Sequence, residues 1–231
     1  MHVLAWMQVP RQNRGLLQRL RGVRTLGVVR YLSDSVSERS LQSGIEMLLW
    51  AHVVGGDGDA FGQLFDLHRD RVYRHAWALA GNRQDAEDVT ATAFLELWRL
   101  RARVRMVDGS VLPWLLATTT NIGLNAARSR RRYQRFLERL PRTTELADVA
   151  AGTRGLGVTP VLRDAMRSLK PKDAQLLALI ALEGYAVNEA ATCLDLSPEA
   201  ARARLHRARR RLQERLGQDP AISLLIEEVS S

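Results

Sequence analysis

From about Gly58 onward the apolar residues return at steps of three and four, and that spacing most narrows what the chain can fold into. Phe61, Leu64, Phe65, Leu67, Val72, Tyr73, Ala76, Trp77 and Leu79 follow it. Residues so spaced share one face of an α-helix, whereas a half-buried strand needs strict alternation. Gly81-Asn82 closes this first helix with C-cap chemistry. A second helix is expected over about Gln84 to Arg101, with Asp85, Glu87 and Asp88 at the positive end of its dipole and Val89, Ala93, Phe94, Leu97 and Trp98 turned inward. Asp108-Gly109-Ser110 forms a turn, and Pro113 suits the first turn of a third helix that Trp114, Leu115, Ile122 and Leu124 carry into a run of arginines.

Residues 143–160 are small, Gly-containing and weakly periodic, the composition of a flexible linker. Four short helical units follow, over Leu162 to Leu169, Pro171 to Leu182, Val187 to Leu194 and Pro198 to Leu216. Only Asp195-Leu196-Ser197 separates the last two, and Ser197-Pro198-Glu199 supplies an N-cap, a first-turn proline and a first-turn acid. That is a helix-turn-helix layout. On its second helix Ala201, Leu205, Ala208 and Leu212 make the apolar stripe, which leaves Arg202, Ala203, His206, Arg207 and Arg210 facing outward. The expected fold is all-α: two small helical domains joined by a flexible linker.

The chain has 231 residues, a net charge of +9 and a sequence pI near 10.8, a balance that favours a polyanionic partner. All but Lys170 and Lys172 of its 34 basic residues are arginine, a bias that GC-rich coding produces unaided. The placement is more informative than the total. Arg128, Arg130, Arg131, Arg132, Arg135, Arg139 and Arg142 face the single acid Glu138, and Arg202, Arg204, Arg207, Arg209, Arg210, Arg211 and Arg215 face Glu214. One such run is commonly a solvated helix face. Two of them, each closing a helical segment, point to phosphate binding.

Other classes find little support. The single cysteine excludes a disulfide framework and any cysteine-rich metal site, and Cys193 reads as a buried, inert thiol on the inner face of its helix. No apolar run approaches the roughly 20 residues of a spanning helix. No phosphate-binding, zinc-protease, nucleophile-elbow or dinucleotide motif is present, so no catalytic residue, metal ligand or cofactor is assigned. His68 and His75, seven apart on one helix face, read as solvated side chains among arginines rather than as a metal pair.

Three stretches carry a family resemblance. LSPEAARARLHRARRRLQERL resembles the DNA-recognition helix of bacterial extracytoplasmic-function sigma factors, members of the sigma-70 family. GDGDAFGQLFDLHRDRVYRHAWALAGNRQDAEDVTATAFLELWR resembles the first half of their core domain, and VLPWLLATTTNIGLNAARSRRRYQRFLERLPR its promoter-melting half. The order is the family's, over about Leu48 to Leu216. The expected organisation is therefore a core-binding and −10 domain over 47–142, the linker 143–160, a −35 domain over 161–217 and a short tail, 218–231. Residues 1–46 lie outside the resemblance and are basic, and 1–40 show no sustained period. They read as a poorly ordered extension, a transit peptide or an over-long start, the last favoured because proteins of this class commonly open as MLLWAHVVGGDGDAF would from Met47.

The resemblance also implies roles. Asp85, Glu87, Asp88 and Glu96 would dock on the clamp helices of the largest catalytic subunit of core RNA polymerase, although Ala91-Thr92 stand where the family commonly has Gln-Glu. Val104 to Leu112 matches the loop that captures a flipped −10 base. Asn121, Asn125, Arg128, Arg130, Arg131 and Arg132 would meet the melted strand, with Ala117 and Thr118 at positions often basic or polar. At −35, Arg202, Ala203, His206 and Arg207 would meet bases or flanking backbone, and Arg204, Arg209, Arg210 and Arg211 would hold phosphates. Asp195 occupies a turn position where glycine is frequent and tolerates the left-handed conformation. Promoter DNA, core polymerase and an anti-sigma protein are the implied partners, in a bacterial cytoplasm and on the nucleoid when active. A stand-alone helix-turn-helix regulator is the alternative; it explains residues 160–216 and leaves the first domain without a purpose.

Overall fold

A computed structural model describes residues 34–137 and 159–216. Its helices are α1 (Asp34–Val54), α2 (Gly58–Ala80), α3 (Arg83–Leu100, extended by the 3-10 turn Arg101–Arg103), α4 (Leu112–Leu137), α5 (Pro160–Arg167), α6 (Pro171–Leu177, running into a π-turn over Ala178–Leu182), α7 (Val187–Cys193) and α8 (Pro198–Leu216). Among the described residues there is one isolated β-bridge, Val107 to Ser110, and the rest is helix, turn or loop. The chain divides into two units, Met1–Leu41 and Gln42–Ser231. Of the first, only the helical residues 34–41 are described; the packing that follows belongs to the second.

Local chemistry sets the boundaries. The Asp57 carboxylate accepts from Asp59 N–H at 2.9 Å and Ala60 N–H at 3.1 Å, capping α2. At the other end Gly81 takes φ 81° and its N–H bonds Trp77 C=O, and Asn82 at once caps α3 by accepting from Asp85 N–H at 2.9 Å. A two-residue connection forces α2 and α3 back along each other, and α4 closes the group. Leu64, Leu79, Leu97, Leu115, Leu116 and Leu124 are all at most 1% exposed in the layer between them. Phe65 meets Phe94 edge-on at 4.7 Å, and Phe61 lies 5.1 Å from Trp98.

Residues 34–46, assigned on sequence to the extension, are helical here. Glu46, Trp50 and Val53 form the buried side of α1 among its described side chains, and the first of them is a carboxylate. An acid at that buried position gives a hydrophobicity reading nothing to follow there.

In the second helical group Thr159 caps α5 ahead of Pro160, Pro171 opens α6, and the Ser197 hydroxyl accepts from Ala200 N–H at 3.2 Å ahead of α8. Between α7 and α8 Asp195 takes φ 54° and Leu196 N–H reaches back to Ala191 C=O at 2.9 Å. The left-handed position anticipated at Asp195 is present. The two groups touch directly: α4 packs on α5, α6 and α7. The linker up to Val158 and the tail from Gly217 lie outside the described residues.

Candidate nucleic-acid interface

The apolar stripe of α8 is buried, with Ala201, Leu205, Ala208 and Leu212 at 4% exposure or less, and this decides what the other side presents. Arg202, Ala203, His206, Arg207 and Arg210 are all exposed on one continuous face. Arg210 bonds Glu214 at 2.9 Å along the helix, a pairing weak enough at full exposure to be exchanged. Arg204 differs from its neighbours: it is half-buried and donates to Asp173 Oδ1 at 2.9 Å, with Arg211 3.7 Å from the other oxygen. Asp173 itself is 3% exposed. Arg204 thus braces α8 against α6, a role that periodicity alone could not separate from phosphate binding. Arg209 is half-buried as well, and burial lowers its pKa.

The first arginine run follows the same logic on α4. Arg128 donates through Nε to Arg167 C=O at 3.0 Å and through Nη2 to Leu169 C=O at 2.7 Å, and Nη1 takes Asn125 Oδ1 at 3.0 Å. Arg130 pairs with Asp85, and Arg131 with Asp164. Arg132 is exposed and donates to Ser129 Oγ at 3.2 Å; Asn125 donates to Asn121 Oδ1 at 3.3 Å. Arg128, Arg131, Arg132, Arg135, Arg167 and Arg215 line a cleft of about 480 Å³ in which Asp164 is the one lining carboxylate among the described residues. Burial lowers the Arg167 pKa, with Arg131 and Arg163 adding to the shift and Asp164 opposing it. Arg139 and Arg142 lie outside the described residues.

The three-helix group and the helix-turn-helix each fall within a stretch that a family model matches. Sigma-70 region 2 matches residues 64–133, and sigma-70 region 4 matches residues 161–212. RNA polymerase sigma factor CarQ of Myxococcus xanthus is 31% identical over 71% of this chain and 92% of its own length. ECF RNA polymerase sigma factor SigE of Mycolicibacterium smegmatis is 31% identical over 67% of this chain and 60% of its own. The chain is a sigma-70 family protein of the extracytoplasmic-function type. Among solved structures, CnrH in complex with the cytosolic domain of CnrY is similar over 76% of this chain and 99% of its own, at 24% identity and a TM-score of 0.49.

As a sigma factor the protein directs core RNA polymerase to promoters, and the reading as a stand-alone regulator falls away because it leaves the region 2 match unexplained. Region 2 is α2–α4 and region 4 is α5–α8. On α3 Asp88 is exposed, Glu87 pairs with Arg83 at 2.7 Å, and Glu96 is held by Arg99 through contacts of 2.5–3.3 Å. Asp85 stands apart from these three: it is tied to Asn82 and Arg130, with its side chain 20% exposed. Leu95, which sequence reasoning did not single out, is 54% exposed on the same helix.

The two histidines correct the sequence expectation. His68 and His75 are not solvated but 5% and 0% exposed. His68 Nε2–H donates to Glu46 Oε1 at 2.8 Å, and His75 Nδ1–H to Glu183 Oε1 at 2.7 Å, while His75 Nε2 lies 2.8 Å from Thr120 Oγ1. Seven residues apart on α2, each reaches a carboxylate distant in sequence, which no local pattern encodes. Glu183 also accepts from Arg71 Nε at 2.9 Å, so region 4 is latched onto region 2 by one buried carboxylate. Cys193 is half-buried and burial pushes its thiol up to about 12, far from a reactive thiolate. Among the described residues no group of three or more His, Cys, Asp or Glu could hold a metal ion, and no helix is long and apolar enough to cross a membrane.

Proposed function

We propose that α8 reads the −35 element in the major groove through Arg202, Ala203, His206 and Arg207, with Arg210 on phosphate. The observation that carries this is the exposed arginine face opposite a fully buried stripe. An arginine pairing bidentately with guanine discriminates by about 1–3 kcal/mol, whereas phosphate contacts set register without reading sequence. Arg204 is left out of this set, because moving it to DNA strands the buried Asp173 carboxylate.

In region 2 the loop Val104 to Leu112 captures a flipped −10 base, and Asn121, Asn125, Arg128, Arg130, Arg131 and Arg132 hold the melted strand. Extruding a base costs a few kcal/mol, which a shaped pocket and phosphate contacts must offset. Arg128 and Arg131 must first exchange their contacts with α5 and Leu169 for DNA phosphates, so region 4 moves off α4 when the promoter is engaged. Core polymerase docks on α3 through Asp88, Leu95 and Glu96, a face that the packed regions leave uncovered. Glu87 lies beside that face, and Asp85 acts mainly by holding the start of α3 and Arg130.

The polymerase supplies the chemistry and this subunit supplies specificity and strand opening, so it is not an enzyme and works in the cytoplasm on the nucleoid. An anti-sigma protein is its implied regulator. Sequencing of genomic fragments retained by polymerase reconstituted with the wild-type chain, or with Arg202→Ala/Arg207→Ala, tests the assignment. Paired −35 and −10 motifs are expected with the wild type, and loss of the −35 motif alone with the variant. Retention of both motifs by the variant contradicts the assignment to α8.

A further inference from the structure

The α4 helix opens with no acid in its first turn, although a helix start gathers unsatisfied N–H groups and the positive end of the dipole. A carboxylate from another helix supplies what is missing. Glu46 Oε1 accepts from Val111 N–H at 2.8 Å and from the Ser110 hydroxyl at 2.9 Å, and Ser110 Oγ in turn accepts from Leu112 N–H at 3.1 Å. The same oxygen takes the His68 N–H, and both side chains of that pair are at most 6% exposed. One buried carboxylate therefore joins α1, α2 and the start of α4.

A second contact fixes the same loop independently. Val107 and Ser110 exchange both backbone hydrogen bonds, at 2.9 and 3.0 Å, around a turn in which Asp108 and Gly109 take φ 50° and 75°. A Cβ on Gly109 would stand 3.0 Å from the Ser43 Cβ, so α1 lies directly on the turn. Val107 and Val111 are buried beneath it, and Arg105 and Asp108 stay exposed. Ser43 and Glu46 both precede the segment that matches region 2.

We propose that Glu46 is a positioning residue for promoter recognition: by clamping Ser110 and Val111 it fixes the loop Val104 to Leu112 before the −10 base arrives. This rests on the assignment of base capture to that loop. A loop that must order on binding spends part of its interaction energy on ordering, and a preformed one spends it on discrimination. Glu46→Ala leaves the Val111 and His68 N–H groups without their acceptor. Glu46→Gln keeps an acceptor oxygen in place.

The test uses the full chain assembled with core polymerase, and single-stranded non-template oligonucleotides from a mapped start site. One carries the captured base and its counterpart is abasic there. The wild type is expected to prefer the base by about tenfold or more. Glu46→Ala should cut that preference by about fivefold or more, and Glu46→Gln should hold it within about twofold. Binding to a −35 duplex should stay within about twofold in both, because the bonds of Glu46 run to His68, Ser110 and Val111 and none of these runs to α8. Hydrogen exchange at Val111 should quicken in Glu46→Ala while the α8 amides are unchanged. If Glu46→Ala does not fold, Ser110→Ala removes one arm of the clamp, leaves the Glu46–His68 pair intact and should lower the same ratio.

A purely structural role would lower the melting temperature and weaken both oligonucleotides equally. An unchanged ratio in a folded Glu46→Ala or Ser110→Ala chain therefore overturns the proposal. A wild-type ratio near one overturns the base-capture assignment, and the proposal with it, and differs visibly from a wild type that discriminates beside a Glu46→Ala chain that does so equally.

Discussion

Asp173 holds the inner side of α8 in place by accepting from Arg204 and standing near Arg211, and it does so at 3% exposure. Removing its charge leaves a half-buried guanidinium without its counter-charge. Asp173→Asn is expected to destabilise the chain by about 1–3 kcal/mol, read as a lower midpoint in urea with an unchanged slope. Arg210 is the contrasting case, being exposed and paired only along its own helix. Arg210→Ala should leave stability alone and weaken promoter binding about equally across sequences, lowering the salt slope of affinity by about one. The difference between these arginines was only partly legible in the sequence. A 3.6-residue period separates the outer face of α8 from its stripe, but Arg204 sits at the boundary and its partner is 31 residues away in the chain.

At the scale of elements, capping residues made most boundaries readable, because a cap acts within one turn of the end that it marks. Asn82, Pro171, Pro198 and Gly81 all stand where their chemistry places a helix end. Gly81 carries a second constraint that no local rule contains. Besides its φ of 81°, the Arg163 guanidinium lies across its Cα while Arg163 Nε donates to Ala78 C=O at 3.1 Å. Gly81→Ala should therefore cost about 1–3 kcal/mol, more than the conformational penalty of a left-handed alanine in open space, as measured by thermal unfolding. A Gly81→Ala/Arg163→Ala pair should recover part of that loss. The start of α1 escaped sequence reading for the opposite reason: its buried face holds Glu46, and an acid there is intelligible only once Ser110, Val111 and His68 are seen around it.

Across the whole of the second unit, regions 2 and 4 meet through Glu183, Arg163, Gln175 and Arg128, and the linker composition gives no hint of that contact. Burial pushes the Glu183 carboxyl up, but the hydrogen bond and charge of His75, joined by those of Arg71, outweigh it and leave the group below the ordinary carboxylate range. Neighbouring Tyr185, which burial pushes to about 12, stays neutral over the acid range. A carboxylate depressed in the folded state contributes stability above its free value of about 4.3 and loses it as pH falls through the depressed value. Stability should therefore fall as the pH drops below about 4.3, and Glu183→Gln should show a flatter acid limb in denaturation across that range. On the proposed reading, this chain gives core polymerase its promoter choice through α8. Run-off transcription on upstream fragments of the source genome tests it most directly, with core polymerase alone, with the wild-type chain and with Arg202→Ala/Arg207→Ala. Discrete starts that appear only with the wild-type chain are predicted. Gel-shift binding of the wild-type chain without any polymerase-dependent start, or equal starts from the variant, would contradict the account.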